Sequence, residues 1–281
     1  MLLEILSLGS GLSIQDQGRI GWRRFGVPTG GAMDVGAMQQ ANRLLGNSLQ
    51  APVLEIVQQG ARIRILRDTW LSLTGADFCS QLAAGTAQRF TAGEVLEMDH
   101  KSHGLYSYLA VPGGMQSNQW LGSASSDLRN GMGLVLKKCS KVDSLAQEPN
   151  ISIDRVARRL SAERSNVLPE AHFELYPGPQ FDSFSTEVQK SFIDSEWVVS
   201  VQSDRTGYRL EGTKLKVPPM IASQPVLPGS FQIPGNGQPI VTMHDGPTVG
   251  GYAKLAILKA KDLDRFAQCA PGTQITFSWI H

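Results

Sequence analysis

Between Val53 and Val111 the chain turns back on itself repeatedly, and this limits its architecture more than any other feature. Short apolar-rich runs, Val53 to Gln58, Ala61 to Leu66, Thr69 to Thr74, Phe78 to Ala83, Glu94 to Met98 and Leu105 to Val111, are punctuated by Gly60, Gly75, Gly85, Gly93 and Gly104. In the second run Ile63 and Ile65 alternate with Arg62 and Arg64, the two-residue period of a strand with one buried face. A row of short strands joined by glycine turns predicts a barrel or a sandwich, so the expected class is mainly β with a few short helices. Leu2 to Leu8 reads as a further strand. Asp34 reads as the N-cap of a helix running to about Gly46 and Asn47, with Val35, Met38, Ala41 or Asn42, and Leu45 at helical spacing.

The chain has 281 residues, enough for two domains of ordinary size or one large β domain, and 41% hydrophobic against 18% charged residues predicts a substantial core. A net charge of +1, with the basic residues scattered, argues against nucleic acid or an anionic membrane surface as the main partner. Cys79, Cys139 and Cys269 are isolated, which suggests neither a disulfide framework nor a zinc site, and no metal ligands are assigned. The first residues, MLLEILSLGSG, carry Glu4 inside the apolar run and lack a basic start, and no apolar stretch approaches the about 20 residues of a spanning helix. The expected location is cytoplasmic.

From Ser140 to Glu170 the sequence is polar, mixed in charge and poor in large apolar residues, which predicts an exposed connector with a helical turn or two around Ile153 to Leu160. The domains are therefore placed at 1–167, with the connector from about 140, and 168–281. The second half opens with FELYPGPQ, Phe173 to Gln180, whose Pro-Gly-Pro fixes a turn. A helix near Thr186 to Ile193, a strand at Trp197 to Gln202, a last helix capped by Asp262 and a closing strand at Thr273 to Trp279 follow.

Three loops carry unusual chemistry. Residues 11–34, GLSIQDQGRIGWRRFGVPTGGAMD, combine many glycines with Gln15, Asp16, Arg19, Trp22, Arg23 and Arg24, so the segment either lines a site or knits two sheets together. Between Leu109 and Gly133 a run of Ser123, Ser125, Ser126, Asp127 and Arg129 suits oxyanion binding or the capping of a short helix. His100 and His103, just upstream, read as exposed turn histidines. In Ile240 to Lys254 an apolar strand empties into His244, Asp245, Gly246, Pro247, Thr248, Val249, Gly250, Gly251 and Tyr252. There a glycine pair allows close backbone approach beside a carboxylate, a hydroxyl and a phenol; an Asp-capped β-turn is the competing reading. Adjacent Asp204 and Arg205 in SDRTGYRLEG read as an ion pair that closes a loop.

Taken in order, QDQGRIGWRRFGVPTGGAMD, LGSASSDLRNG, YPGPQ, SDRTGYRLEG, PGSFQIPGNGQPI and DGPTVGGYAKLAIL closely resemble one family over nearly the whole chain. That family contains allophanate hydrolase subunit 2, which is the second half of the urea carboxylase carboxyltransferase domain, and the C-type subunit of the bacterial ATP-dependent 5-oxoprolinase. The resemblance implies two cyclophilin-like β-barrel domains and partners of subunit-A-like and subunit-B-like type. Three departures stand out. Arg24-Phe25 precedes GVP where the family has an aromatic residue and histidine, Thr248 to Ala253 reads TVGGYA in place of TTGGYP, and LVLKKCSKVD follows Gly133.

No phosphate-binding loop of the Gly-rich Lys-Ser/Thr type and no biotin-attachment motif is present, so the chain is not expected to carry biotin covalently. The resemblance implies a subunit of a complex that opens 5-oxoproline to glutamate, with ATP and Mg²⁺ acting at the level of the complex and a lactam as substrate. Phosphorylating the lactam oxygen gives an otherwise unreactive amide a leaving group, and such a site needs cations, amide donors and a carboxylate. Asp16, Asp204, Asp245 and Arg205 are the candidate catalytic residues. Arg19, Tyr208, Arg209, Thr248, Gly250, Gly251 and Tyr252 are the candidate ligand-binding residues, and loop-knitting competes as an explanation for each. Two other roles fit the resemblance: the carboxyltransferase half of a urea-carboxylase-like system with a urea-like substrate, and a regulatory module acting on a subunit-B-like kinase inhibitor.

Overall fold

The computed structural model describes residues 1–100, 102–149 and 171–280, with the backbone of 158–159. The chain divides into two compact units, Met1–Ile20 with Gly30–Val167, and Gly21–Thr29 with Leu168–His281. Both are mainly β, as expected, and three short α-helices accompany them among the described residues.

In the first unit the strands are β1 (Leu3–Leu8), β2 (Leu12–Gln15), β3 (Val53–Val57), β4 (Ala61–Ile65) and β5 (Thr69–Gly75), then β6 (Thr86–Phe90), β7 (Val95–Glu97), β8 (Tyr106–Ala110), β9 (Lys141–Val142) and β10 (Arg158–Arg159). They form two antiparallel sheets, in the orders β7-β4-β1-β9 and β10-β6-β5-β8-β3-β2. The alternation read in β4 is realised: Ala61, Ile63 and Ile65 enter a core with Ile5, Leu54 and Leu73, while Arg62 and Arg64 face solvent. Each arginine meets the carboxylate opposite it on the neighbouring strand, Arg62 with Glu97 at 2.7 Å and Arg64 with Glu4 at 2.9 Å. Exposed pairs of this kind fix register and add only about 0.2–1 kcal/mol each.

Helix α1 (Val35–Leu44) starts where the sequence places it, because the Asp34 carboxylate accepts the Ala37 amide at 2.8 Å. Its Ala37, Met38, Ala41 and Leu44 are buried, and the helix packs on β5 and β8. Ser72 and Thr74 on β5 donate their hydroxyls to the Ala41 and Ala37 carbonyls at 2.7 and 2.6 Å. Beneath the start of the helix the Tyr108 phenol donates to buried Glu55 at 2.9 Å and accepts the Asp34 amide at 2.7 Å. Burial, and then the charges of Glu55 and Asp34, hold that phenol well above its ordinary pKa.

Two local expectations for this unit fail. Phe78 to Ala83 is not a strand: only Cys79 bridges, to Met98, and the segment folds as a plug around buried Phe78 and Leu82, held by the Asp77 carboxylate accepting the Ala84 amide at 3.0 Å. The strand lies one turn later at Thr86–Phe90, whose polar sequence gives little period-two signal. Lys141 and Val142, expected in an exposed connector, pair with β1, and Val142 is buried in the core. The helical turn expected around Ile153 to Leu160 lies outside the described residues except for the β10 backbone.

The second unit contains β11 (Ala171–Pro177), α2 (Thr186–Asp194), β12 (Trp197–Val199), β13 (Gly207–Glu211), β14 (Gln224–Pro225) and β15 (Ser230–Ile233). After these come β16 (Ile240–Thr242), β17 (Val249–Gly250), β18 (Ala253–Leu258), α3 (Leu263–Ala267) and β19 (Gln274–Trp279). Seven of these strands form a closed barrel, β11-β18-β15-β16-β13-β12-β19, and β14 pairs with β17 as a separate ribbon. All neighbours in the barrel are antiparallel except β11 and β19, the first and last strands, which close the ring in parallel.

Aromatic rings fill the core of this unit: Phe231 meets Phe277 edge-on at 5.1 Å, Phe173 meets Phe266 at 5.2 Å, and Phe192 from α2 stacks on Phe277 at 5.3 Å. Trp197 begins the expected strand, which ends at Val199 because Ser200 to Ser203 form a turn. Asp262 stands at the N-cap of α3 but makes no side-chain capping bond; its carboxylate lies 3.9 Å from Arg265 instead. No helix among the described residues is long and apolar enough to cross a membrane.

Candidate functional site

The loop from β16 to β17 is held against the β12–β13 turn by backbone bonds, Met243 N–H to the Thr206 carbonyl at 3.0 Å and Asp245 N–H to the Arg205 carbonyl at 2.9 Å. Gly246 is required there, since a Cβ would sit 2.4 Å from Thr242 Cγ2 and 2.7 Å from the Thr206 carbonyl oxygen. On this frame Arg205 grips Asp245 with both arms, Nε to Oδ2 at 2.7 Å and Nη2 to Oδ1 at 3.0 Å. Arg205 therefore pairs with Asp245 and not with its chain neighbour. Asp204, exposed, accepts the Thr206 and Gly207 amides at 2.8 and 3.1 Å and holds the turn.

Arg23, in the segment that joins this unit, donates through Nη2 to the Val226 carbonyl and to the Pro247 carbonyl at 3.2 Å, and burial lowers its pKa. Beside these cations lies His244, a residue not selected from the sequence. It is 9% exposed, and its Nε2 has no hydrogen-bond partner among the described residues. Burial first, then the positive charges of Arg205 and Arg23, push its pKa down from 6.5 to about 4, so the imidazole is neutral at pH 7. A neutral ring facing two guanidinium groups offers a lone pair or an N–H without adding charge.

The other residues selected in this unit divide by exposure. Tyr208 lies inside the barrel, with its ring beside Phe266 and its hydroxyl donating to the Ala267 carbonyl at 2.6 Å; it serves the core and not a cavity wall. Arg209 points outward from β13, Thr248 is half-buried, and Tyr252 is 39% exposed. Gly250 pairs with Gln224 across the ribbon, and a Cβ on it would meet Gln232 Oε1 at 2.8 Å; a Cβ on Gly251 would lie 3.0 Å from the Ile221 carbonyl oxygen. Both positions are tight and favour a small residue.

Asp16 and Arg19 belong to the first unit. The Asp16 carboxylate accepts four hydrogen bonds, from Ser123 Oγ and Ser125 Oγ at 2.6 Å each, from the Ala124 amide at 2.7 Å and from the Gly18 amide at 2.8 Å. The serine-rich run does bind an oxyanion, and that oxyanion is this chain's own side chain. Three of these bonds reach Oδ1 and one reaches Oδ2, a set that favours a structural clamp. Asp16 also borders a cavity of about 510 Å³ with Gln17, Ser48, Gln50 and Gln119. Arg19 is fully buried, donates to the Ser125 carbonyl and lies 5.5 Å from the ring centre of Trp120.

The family model for the carboxyltransferase domain, subdomain A and B, matches residues 25–279. Among curated proteins, the 5-oxoprolinase C subunit of Escherichia coli (strain K12) is 36% identical over 288 residues, covering 98% of this chain and 90% of that protein. Among solved structures, TTHA0988 superposes with a TM-score of 0.88 at 30% identity, covering 99% of this chain and 56% of that one. The K. lactis urea amidolyase gives a TM-score of 0.88 at 26% identity, covering 100% of this chain and 19% of the enzyme. The chain thus spans only part of each of those two structures.

Proposed function

Because the chain belongs to the family of the carboxyltransferase domain, subdomain A and B, we propose that it is the C-type subunit of an ATP-dependent 5-oxoprolinase assembly, opening 5-oxoproline to glutamate with A-like and B-like subunits. The observation that carries this reading is the nearly end-to-end match to the E. coli protein, which leaves little of that relative without a counterpart here. A cytoplasmic location and two cyclophilin-like domains, 1–167 and 168–281, are part of the same proposal. The closed seven-stranded ring of the second unit and the two-sheet strand set of the first support the two-domain part, although residues 21–29 group with the second unit and not with the first.

The geometry supports a division of labour among the selected residues. Arg205, Asp245, Asp204 and Tyr208 fix loop and barrel conformation, while Arg209, Thr248 and Tyr252, with exposed or half-exposed side chains, are assigned to ligand or partner contact. The cationic cluster of Arg23 and Arg205 around neutral His244 favours an oxyanion in its vicinity. Among the described residues no three of His, Cys, Asp and Glu converge in a way that could hold a metal ion. Metal and nucleotide are assigned to the assembly as a whole.

Co-expression with candidate A and B subunits, followed by an assay for 5-oxoproline-dependent release of ADP and glutamate, tests the reading. Absence of glutamate from a well-assembled complex overturns it. The overlap with urea amidolyase favours a second reading, the carboxyltransferase half of a biotin-dependent system. Carboxylation of a urea-like substrate, dependent on carboxybiotin supplied by another protein, would establish that alternative.

A further inference from the structure

The YPGPQ turn meets the strand that follows the glycine pair at a place the proposed function does not use. Gly178 lies flat on β18: its N–H donates to the Leu255 carbonyl at 2.9 Å, and a Cβ would sit 2.2 Å from the Lys254 carbonyl oxygen. This close approach delivers Gln180 to the strand. Its backbone N–H donates to the Lys254 carbonyl at 3.2 Å, and its side-chain Oε1 accepts the Lys254 amide at 3.1 Å. With that oxygen committed, Gln180 Nε2 donates to Gln224 Oε1 at 3.0 Å. Lys254 Nζ donates to the same oxygen at 3.4 Å.

Two donors fixed on the barrel wall therefore converge on one oxygen, carried by an exposed side chain of the two-residue ribbon strand β14. Lys254 is 3% exposed, and among the described residues the partner found for its ammonium is the neutral Gln224 Oε1. Burial lowers its pKa. Among the described residues the acceptor found for this ammonium is one neutral amide oxygen at 3.4 Å, a long bond that leaves its charge unmatched. A carboxylate oxygen in place of the amide oxygen would meet the same two donors and supply the missing charge through a shorter, stronger bond.

We propose that Lys254 Nζ and Gln180 Nε2 form a subsite for the carboxylate of a small organic acid, filled in this structure by Gln224 Oε1, which the ligand oxygen displaces. One ammonium and one carboxamide N–H match a planar monoanion; a phosphoryl group, with more charge and three outer oxygens, calls for more cations or a nest of backbone amides. The carboxylate of 5-oxoproline is one such group. That identification rests on the reading of the preceding subsection, whereas the subsite itself does not.

Side-chain NMR of the full chain labelled with ¹⁵N-lysine tests the proposal, with Lys254→Met assigning the resonance. Acetate and 5-oxoproline are expected to raise the pKa of the Lys254 ammonium, and 2-pyrrolidinone, the same ring without a carboxylate, is expected to leave it unchanged. Gln224→Ala removes the internal competitor from an exposed position and is expected to tighten acetate binding, an outcome that a purely structural role for Lys254 does not produce. In the assembled complex Lys254→Met should raise the KM for 5-oxoproline about tenfold or more, with a smaller effect on kcat, the loss of one charge-assisted bond. A response to acetate without one to 5-oxoproline supports the subsite and removes only its link to the lactam. A response to inorganic phosphate alone, no response to any anion, or unchanged acetate affinity in Gln224→Ala overturns the proposal.

Discussion

Acidification should weaken the barrel unit through His244. The imidazole is 9% exposed, its Nε2 lacks a hydrogen-bond partner among the described residues, and burial with the charges of Arg205 and Arg23 brings its pKa from 6.5 to about 4. The charged groups that act on it are those two guanidinium groups, and Arg205 is itself paired with Asp245. Below the ordinary histidine range the unfolded chain takes up a proton that the folded chain refuses. The contribution of the neutral ring to stability is therefore complete above pH 6.5 and is lost as the pH falls towards 4. Linkage between these two values gives a loss of about 2 kcal/mol by about pH 5 and about 3 kcal/mol by about pH 4. Urea unfolding of the wild type and of His244→Gln, followed across this range, isolates the effect, because the carboxylates that titrate there are common to both proteins. The wild type should lose about 2 kcal/mol more than the variant between about pH 7.5 and about pH 5. Parallel curves, or an NMR titration placing His244 near its ordinary value, would refute the reasoning.

Three further outcomes follow from contacts already described. Asp245→Asn breaks the bidentate pair and leaves the Arg205 guanidinium without its carboxylate, at a cost of about 2–4 kcal/mol in urea unfolding. In the double variant Arg205→Met/Asp245→Leu the two losses should fall short of additive by about 1–3 kcal/mol, and full additivity would show that the pair contributes no coupling. Ser125→Ala removes a donor to the Asp16 carboxylate and the acceptor of the Asp16 amide, which should destabilise the first unit by about 1–3 kcal/mol by the same measurement. Gly178→Ala places a methyl group 2.2 Å from a backbone oxygen of β18. It should lower the melting temperature by the equivalent of about 2–3 kcal/mol and disturb the Lys254 resonance, and an unchanged melting temperature would contradict the close packing.

Much of the scaffold is legible locally. Asp34 and the apolar spacing behind it announce α1, and the Ile-Arg alternation announces β4, because in both cases the signal lies within a few residues. Thr86–Phe90 escapes such reading, since only Ala87 and Phe90 of its five residues are buried and its place is decided by pairing with β5. The site is harder for the same reason. Asp204 and Arg205 suggest an ion pair by adjacency, yet successive residues in a turn point apart, and Arg205 reaches a carboxylate brought in from the β16–β17 loop. His244, Gln180 and Lys254 acquire their character from burial and from partners distant in the chain, which no local pattern encodes. Ser123 and Ser125 are intermediate: the run is legible as an oxyanion binder, but its ligand, Asp16, lies at the far end of the unit's sequence.

The parallel seam between β11 and β19 has a consequence for biosynthesis. Ala171 has no neighbour on that side until Ile275 exists, and Trp197 on β12 waits for the same residue. During translation the nascent unit must therefore carry two unprotected strand margins until β19 has left the ribosome, and a stall or nick shortly before Gln274 would expose both to other chains. Self-association of fragments ending before that point, suppressed by adding the missing hexapeptide in trans, is the behaviour such a late-sealing ring should show.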